Sequence, residues 1–141
     1  MKLTKNFTLE ELVHKDIIAK VGDRSADFLH IALAPTLQAM RDKFGSIVVN
    51  GMYKGKEFTR SGLRRPHGRI GAMLSAHKFG CAADCKFTDI TPIEVQKYIM
   101  DHQDEFPYIT RLENALITET WLHVETGSKR KKGQSINVFN P

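Results

Sequence analysis

The sequence predicts an α+β fold in which helices pack on one side of a small antiparallel sheet. Two capping boxes, at residues 8–11 and 91–94, each begin a helical pattern. Residues 108–113 and 120–125 suit two antiparallel strands joined by a loop. A chain of 141 residues is long enough for one domain with one core, in which a layer of helices and a layer of strands bury each other's apolar faces.

The first predicted elements are helical. A short helix over residues 9–14 follows the first capping box, and Phe7 and Leu12 are placed to form a hydrophobic staple across its start. Residues 16–25 are predicted as a loop. Apolar residues at three- and four-residue steps then predict a longer helical stretch over residues 26–44.

Two residues set limits to this helical stretch. Pro35 should kink or split it, because proline has no N–H for the helical hydrogen bond, and Gly45 should end it.

Two short strands are predicted next, at residues 47–50 and 57–61. Residues 62–76 are rich in glycine and proline and are predicted to be irregular.

A buried strand and a helix are predicted in the second half of the chain. The strand covers residues 80–87, and Gly80 allows the chain to turn into it. Pro92, at the favoured first helical position, begins a helix that extends to about residue 104. After Gly127 the chain is polar and basic and is predicted to be extended.

The composition indicates an ordinary globular protein with an excess of basic residues. The 21 lysines and arginines exceed the 16 acidic residues, which gives a net charge of +5. No apolar run approaches the roughly 18 residues of a membrane span, and the first residues lack the apolar core of a signal peptide. We therefore expect a monomer that is made in the cytoplasm without a signal peptide.

Cys81 and Cys85 are too far apart along a strand for a disulfide and are expected to be small buried side chains.

Much of the positive charge lies in a run of four basic residues from Lys129 to Lys132. The chain is therefore divided into a domain at residues 1–127 and a basic C-terminal tail at residues 128–141. Basic runs attract anionic polymers, so the tail is a candidate for contact with an anionic cell envelope. No aromatic residues interleave with the run, and nucleic acid is therefore not an expected partner.

The most informative motif contains two histidines and an aspartate. His77 and Asp84 lie seven residues apart, and His123 follows Trp121 on a predicted strand whose alternate residues share a face. An unpaired carboxylate in the apolar strand around Asp84 would cost several kcal/mol, so a metal ion or a basic partner is expected beside it. From the residues alone, His123 fits a hydrogen-bonded core histidine as well as a metal ligand. Two imidazoles and one carboxylate leave a coordination position open, which is typical of catalytic zinc.

These residues belong to a larger pattern that resembles a known family. The segments are Thr59-Arg-Ser-Gly-Leu-Arg64, Ser75-x-His77-x-x-Gly-x-Ala-x-Asp84 and Trp121-x-His123-Val. Together they resemble the zinc peptidases that cut peptidoglycan stem peptides. These are the D-alanyl-D-alanine carboxypeptidases and L-alanyl-D-glutamate endopeptidases, including many phage endolysins, which share the fold of the Hedgehog signalling domain. The resemblance covers residues 7–126.

The resemblance implies a role for each of five residues. His77, Asp84 and His123 would be the zinc ligands. Arg64 would bind the substrate carbonyl or carboxylate near the metal, a task that suits a guanidinium because it stays charged and donates through a planar fork. Ser75 would orient the substrate or a ligand, and the alternative for its hydroxyl is a turn-forming role.

The catalytic base is the position at which this chain departs from the family pattern. Many members have an acidic residue three positions before the last histidine, where this chain has Thr120. Glu113 lies on the partner strand of the predicted hairpin and can face His123 across the pair, where opposing Cβ atoms are about 5 Å apart. Glu119 lies roughly 13 Å from His123 along a regular strand unless a bulge brings it closer. We therefore expect Glu113 to be the base, with Glu119 as the alternative.

The resemblance implies hydrolysis of a peptide bond in the peptidoglycan stem by a zinc-dependent D-Ala-D-Ala carboxypeptidase or L-Ala-D-Glu endopeptidase. Such an enzyme without a signal peptide suits a phage lysis protein that reaches the wall after release, or a wall hydrolase carried on a virion. The alternative is a non-catalytic zinc-binding structural or virion protein on the same fold, which the displaced acidic residue favours.

Overall fold

The computed structural model describes residues 1–69 and 72–141, and in this part of the chain helices and strands combine in a mixed α+β fold. The helices are α1 (Leu9–Leu12), α2 (Lys15–Val21), α3 (Leu33–Phe44) and α4 (Pro92–Asp101). The strands are β1 (Ile47–Val48), β2 (Gly51–Tyr53), β3 (Lys56–Phe58), β4 (Ala82–Phe87), β5 (Ile109–Glu113), β6 (Leu122–Thr126) and β7 (Asn137–Phe139). Short 3₁₀ helices cover Gly22–Phe28, Ala76–Phe79 and Gln103–Glu105. The predicted α+β class is confirmed.

Five of the strands form the main sheet, in the order β1-β4-β6-β5-β7. β4 pairs antiparallel with β1 and β6, and β6 pairs antiparallel with β5. β7 pairs with β5 in parallel, so the sheet is mostly antiparallel. β2 and β3 form a separate hairpin.

The central strand β6 has one face in the core and the other toward the candidate site. Leu122 and Val124 are fully buried in the same apolar cluster as residues of α3 and α4, and both helices contact β6. His123 and Glu125 alternate with them and therefore point to the opposite face. The helices thus cover one face of this strand and leave the other to polar side chains.

The loop predicted at residues 16–25 is wrong, because this segment forms α2 and the 3₁₀ helix Gly22–Phe28. The Nδ1 atom of His14 accepts a hydrogen bond from the N–H of Asp16 at 3.2 Å and caps α2. Ser, Thr, Asp and Asn fill this position far more often, so the sequence offered no usual sign of a helix start.

Pro35 splits the long helical stretch, which is one of the two outcomes predicted. α3 begins at Leu33, so Pro35 lies in the first turn, where backbone N–H groups have no partner within the helix and a missing one costs little. Gly45 ends α3 as predicted, with a φ of 86° and its N–H bonded to the carbonyl of Arg41 at 3.0 Å.

The irregular segment predicted at residues 62–76 includes Ile70 and Gly71, which lie outside the described residues. On either side of them, the described part has no regular element before the 3₁₀ helix that begins at residue 76. Cys81 and Cys85, just downstream, are both free, as predicted, and only Cys85 is fully buried.

The basic C-terminal segment packs against the rest of the chain. β7 extends the main sheet, and Ile136 is buried in the apolar core. The guanidinium of Arg130 donates hydrogen bonds to three main-chain carbonyls within residues 103–109. A strand of three residues leaves no periodicity in the sequence, which is why the segment was predicted only as extended.

Gly80 turns the chain into β4 with a φ of 70°, as predicted. A Cβ atom at this position would overlap the carbonyl oxygen of Phe28, so both the conformation and the space require glycine. We expect Gly80→Ala to lower the free energy of unfolding by about 3 kcal/mol or more, measured by urea denaturation.

Gly55→Ala is the matched control for this substitution. Gly55 also has a positive φ, 76°, but nothing lies within 4 Å of a Cβ atom there. Its replacement should therefore cost only the conformational strain, about 1–2 kcal/mol. Equal losses in the two variants would contradict the role of the Phe28 contact.

Candidate metal centre

His77, Asp84 and His123 come together from three elements of the fold. His77 lies in the 3₁₀ helix Ala76–Phe79, while Asp84 in β4 and His123 in β6 are direct partners in the antiparallel pair. Oδ1 of Asp84 is 2.9 Å from Nδ1 of His123 and 3.2 Å from Nε2 of His77. The two imidazole nitrogens are 3.2 Å apart.

This triangle of atoms fits a metal ion. The three ligand atoms lie within 4.8 Å of one another, and the set of two nitrogens and one carboxylate oxygen is one that zinc binds. Tetrahedral coordination with bonds of about 2.0–2.1 Å places neighbouring ligand atoms roughly 3.3 Å apart, close to the separations found here. His77, Asp84 and His123 could therefore hold a metal ion.

Each histidine has its second ring nitrogen fixed by another group. Nδ1 of His77 is 3.0 Å from the carbonyl oxygen of Gly62. A carbonyl can only accept, so Nδ1 carries the proton and Nε2 is free to bind a metal. Nε2 of His123 is 2.9 Å from Oε1 of Glu125, which leaves Nδ1 directed at Asp84. Contacts of this kind orient the rings of metal-binding histidines and fix their tautomers.

The Asp84 carboxylate is stabilised in its charged form. Burial alone would raise its pKa, but the close contacts with His123 and His77 outweigh burial and hold the pKa well below its ordinary range. Nη2 of Arg64 donates to Oδ2 of Asp84 at 3.2 Å. Arg64 is thus the kind of basic partner that the sequence led us to expect beside this carboxylate.

His123 is shared between two carboxylates. Burial alone would lower the pKa of His123, but hydrogen bonds to Asp84 and Glu125 raise it to about 9. Glu125 in turn pairs with Arg111 at 3.2 Å, and burial is outweighed there by His123, so the pKa of Glu125 is lowered. Since metal ligation requires a neutral imidazole, a bound metal ion would take the place of the proton on Nδ1 of His123.

A cleft of about 800 Å³ opens over the three residues. All but one of the candidate residues predicted from the sequence line it: Arg64, Ser75, His77, Asp84, Glu113 and His123. Trp121 also lines this cleft and is partly exposed. Ser75 immediately precedes the 3₁₀ helix that carries His77, and its hydroxyl makes no capping hydrogen bond to that helix.

The two candidate bases lie in different places. Glu113 ends β5, and the register of β5 with β6 places it beside His123 in the cleft. Burial raises the pKa of Glu113. β6 begins only at Leu122, so Glu119 lies in the turn before the strand and lines a different hollow.

Two charged residues beside the site were missed by the sequence analysis. Glu125 fixes the ring of His123. Lys86 is buried beneath Asp84 in β4, donates to Oγ of Ser61 at 2.7 Å and to the carbonyl of Asp84 at 3.2 Å, and burial lowers its pKa to about 8. Each lies two positions after a ligand candidate on a strand, so the alternation of side chains carried the signal that would have found them.

The chain matches no protein-family model, no curated protein and no solved structure. Its resemblance to the zinc peptidases of peptidoglycan therefore depends on the motif residues alone. No helix within residues 1–69 or 72–141 is long and apolar enough to cross a membrane.

We expect Zn²⁺ to raise the melting temperature of the wild-type protein, because an ion that binds only the folded state stabilises it. His77→Ala and His123→Ala should each remove this rise and the bound zinc, measured by differential scanning fluorimetry and by atomic absorption after dialysis. Full zinc occupancy in either variant would contradict the ligand assignment.

Glu125→Gln should weaken zinc binding about 10- to 100-fold without removing it, because the glutamine loses the charge that steadies the His123 ring. Competition with a chromophoric chelator measures the affinity. Glu119→Gln makes the same chemical change outside the cleft and should leave the affinity unchanged. Equal affinities in the two variants would show that Glu125 does not act on the metal centre.

Proposed function

We propose that this protein is a zinc-dependent peptidase that hydrolyses a peptide bond in the peptidoglycan stem, as a D-Ala-D-Ala carboxypeptidase or an L-Ala-D-Glu endopeptidase. The observation that carries the proposal is the presence of Glu113 and Arg64 in the same cleft as the three candidate ligands. Structural zinc sites usually have four protein ligands and are often rich in cysteine, whereas this group has three and includes no cysteine. The proposal extends to the Hedgehog-type fold, with which a mostly antiparallel sheet and helices on one face are compatible.

His77, Asp84 and His123 would hold the zinc ion, which when bound supplies a Lewis acid and lowers the pKa of water toward about 7. Glu113 would accept the proton of the attacking water and deliver it to the leaving amine. Its position in the cleft supports this role, and the raised pKa brings its proton affinity closer to neutral pH, where a base of this kind is most effective.

Arg64 would stabilise the negative charge that develops on the scissile carbonyl oxygen. Its Nε and Nη2 atoms are engaged with the carbonyl of Arg60 and with Asp84. Within the described part of the chain, Nη1 has no hydrogen-bond partner, so the guanidinium is held in place with a donor left for a substrate. Ser75, on the wall of the same cleft, would orient the substrate or a ligand.

The biological setting that we propose is the bacterial cell wall, reached either by release of a phage-type lysis protein or from a virion. Lys129, Lys131 and Lys132 are exposed and could contact an anionic envelope. Arg130 is engaged with main-chain carbonyls of its own chain, so the envelope contact would depend on the three lysines.

Digestion of purified peptidoglycan with the zinc-loaded protein, followed by mass spectrometry of the products, tests this function. We expect new peptide termini at a single stem bond, lost in the presence of a chelator and restored by Zn²⁺. Zinc binding without any new terminus would overturn the peptidase proposal and support the alternative, a non-catalytic zinc-binding structural or virion protein.

Glu113→Gln should keep bound zinc but lower the turnover number at least about 100-fold, because the amide cannot accept the proton. The rate of wall lysis, followed by turbidity, and the zinc content of the same sample are the two measurements. The isosteric change preserves the shape of the cleft, so a loss of turnover is attributable to the lost base.

Glu119→Gln is the control for this prediction. Glu119 lies outside the cleft, and its substitution should leave turnover within about twofold of wild type. A large loss in Glu119→Gln together with normal turnover in Glu113→Gln would transfer the role of the base to Glu119.

A further inference from the structure

A second cavity of about 320 Å³ adjoins the metal cleft. Asp84 and Trp121 line both cavities, so the second cavity lies directly beside the candidate metal centre. Aromatic rings of Tyr53, Phe58 and Trp121 form part of its wall. None of the roles assigned above to the metal centre uses this cavity.

The cavity contains an unusual buried cation. Lys86 is only 3% exposed, and its Nζ atom lies 4.2 Å from the centre of the Phe58 ring. The hydroxyl of Ser61 and the carbonyl of Asp84 accept hydrogen bonds from Nζ, but both acceptors are neutral. No carboxylate of the described residues forms an ion pair with Lys86. The Asp84 carboxylate acts on Lys86 only from beyond ion-pair distance, and a buried cation whose direct partners are all neutral favours an anionic ligand in contact with it.

A second cation stands near the first. Lys56 also lines the cavity, is exposed, and has its Nζ atom 5.4 Å from the same Phe58 ring. Two lysines on one aromatic ring give the cavity a positive charge, while its aromatic walls suit an apolar body. A carboxylate on a short carbon skeleton meets both conditions better than a phosphate, which is more strongly hydrated.

We propose that this cavity is a subsite for one carboxylate-bearing residue of the substrate, with Lys86 binding the carboxylate and Lys56 at the rim. The identity of that substrate as a peptidoglycan stem peptide rests on the proposed function. Stem peptides carry free carboxylates on their residues, so the subsite would select the residue that lies next to the scissile bond on this side.

Trp121 allows the subsite to be tested without catalysis, because it is the only tryptophan of the chain and lines the cavity. N-acetyl-D-alanine, with its amide as the uncharged comparison, would be titrated into the protein as purified while Trp121 fluorescence is recorded. We expect a saturable response to the acid and a response to the amide that is weaker by about tenfold or more.

Lys86→Met keeps the length and apolar stem of the side chain and removes the charge. We expect it to bind the acid about tenfold or more weakly, whereas Lys54→Met, the same substitution at an exposed lysine outside both cavities, should bind like wild type. Wild-type affinity in Lys86→Met, or no saturable response in the wild-type protein, would overturn the proposal. If thermal melting shows that Lys86→Met does not fold, Lys56→Met takes its place, and an affinity within twofold of wild type would then overturn it.

A second experiment separates the subsite from the peptidase activity. Synthetic stem peptides would be prepared with each free carboxylate amidated in turn, and kcat/KM measured for wild type and Lys86→Met. Amidation of one carboxylate should lower the wild-type value about tenfold or more and should have no further effect in Lys86→Met. Cleavage that is insensitive to every amidation would overturn the subsite alone. If no peptide is cleaved, the proposed function fails, and the fluorescence titration still decides the subsite.

Discussion

The partly buried carboxylate of Asp84 is the group on which the rest of the site depends. Oδ1 faces His77 and His123, and Oδ2 accepts from Arg64, so each oxygen is compensated by residues from a different part of the chain. An uncompensated carboxylate at the centre of the sheet would cost several kcal/mol. The loop that carries Arg64, the turn that carries His77 and the strand β6 therefore each help to stabilise the Asp84 carboxylate at its position in β4.

Strand β6 contributes to both the apolar core and the candidate metal centre, because its side chains point alternately to the two faces of the sheet. Leu122 and Val124 fix β6 against the helices, and that packing determines where His123 and Glu125 stand on the opposite face. A ring held by a packed strand and by a hydrogen bond to Glu125 needs little reorganisation when a ligand binds. The positions of His123 and Glu125 in the candidate metal centre thus depend on the packing of the apolar core on the other side of the sheet.

The parts of this structure that could be predicted from the sequence are those with a local physical cause. The capping box at Thr91 and the turn at Gly80 follow from short-range stereochemistry, and the motif residues follow from their chemical types. α2 was missed because His14 rather than a common capping residue begins it. The strand β7 was missed because its three residues are positioned by pairing with β5, a contact that leaves no local pattern. The alternation of side chains along the strands places Glu125 on the face of His123 and Lys86 on the face of Asp84. Their importance depends on those two neighbours, so it could be recognised only once the site was located.

Two glutamates on neighbouring strands have opposite environments, and this difference supports the separate roles proposed for them. Glu125 is paired with Arg111 and His123, which lower its pKa and keep it an anion that orients the ring. Glu113 makes no such ion pair within the described residues, lies on the wall of the cleft, and has its pKa raised by burial. When two acidic groups in one site are shifted apart in this way, the group with the raised pKa is the better proton acceptor and donor near neutral pH. A protein that only stored or displayed zinc would not need a further carboxylate in the cleft beside the candidate ligands, so the position of Glu113 supports the proposed catalytic role over a structural one.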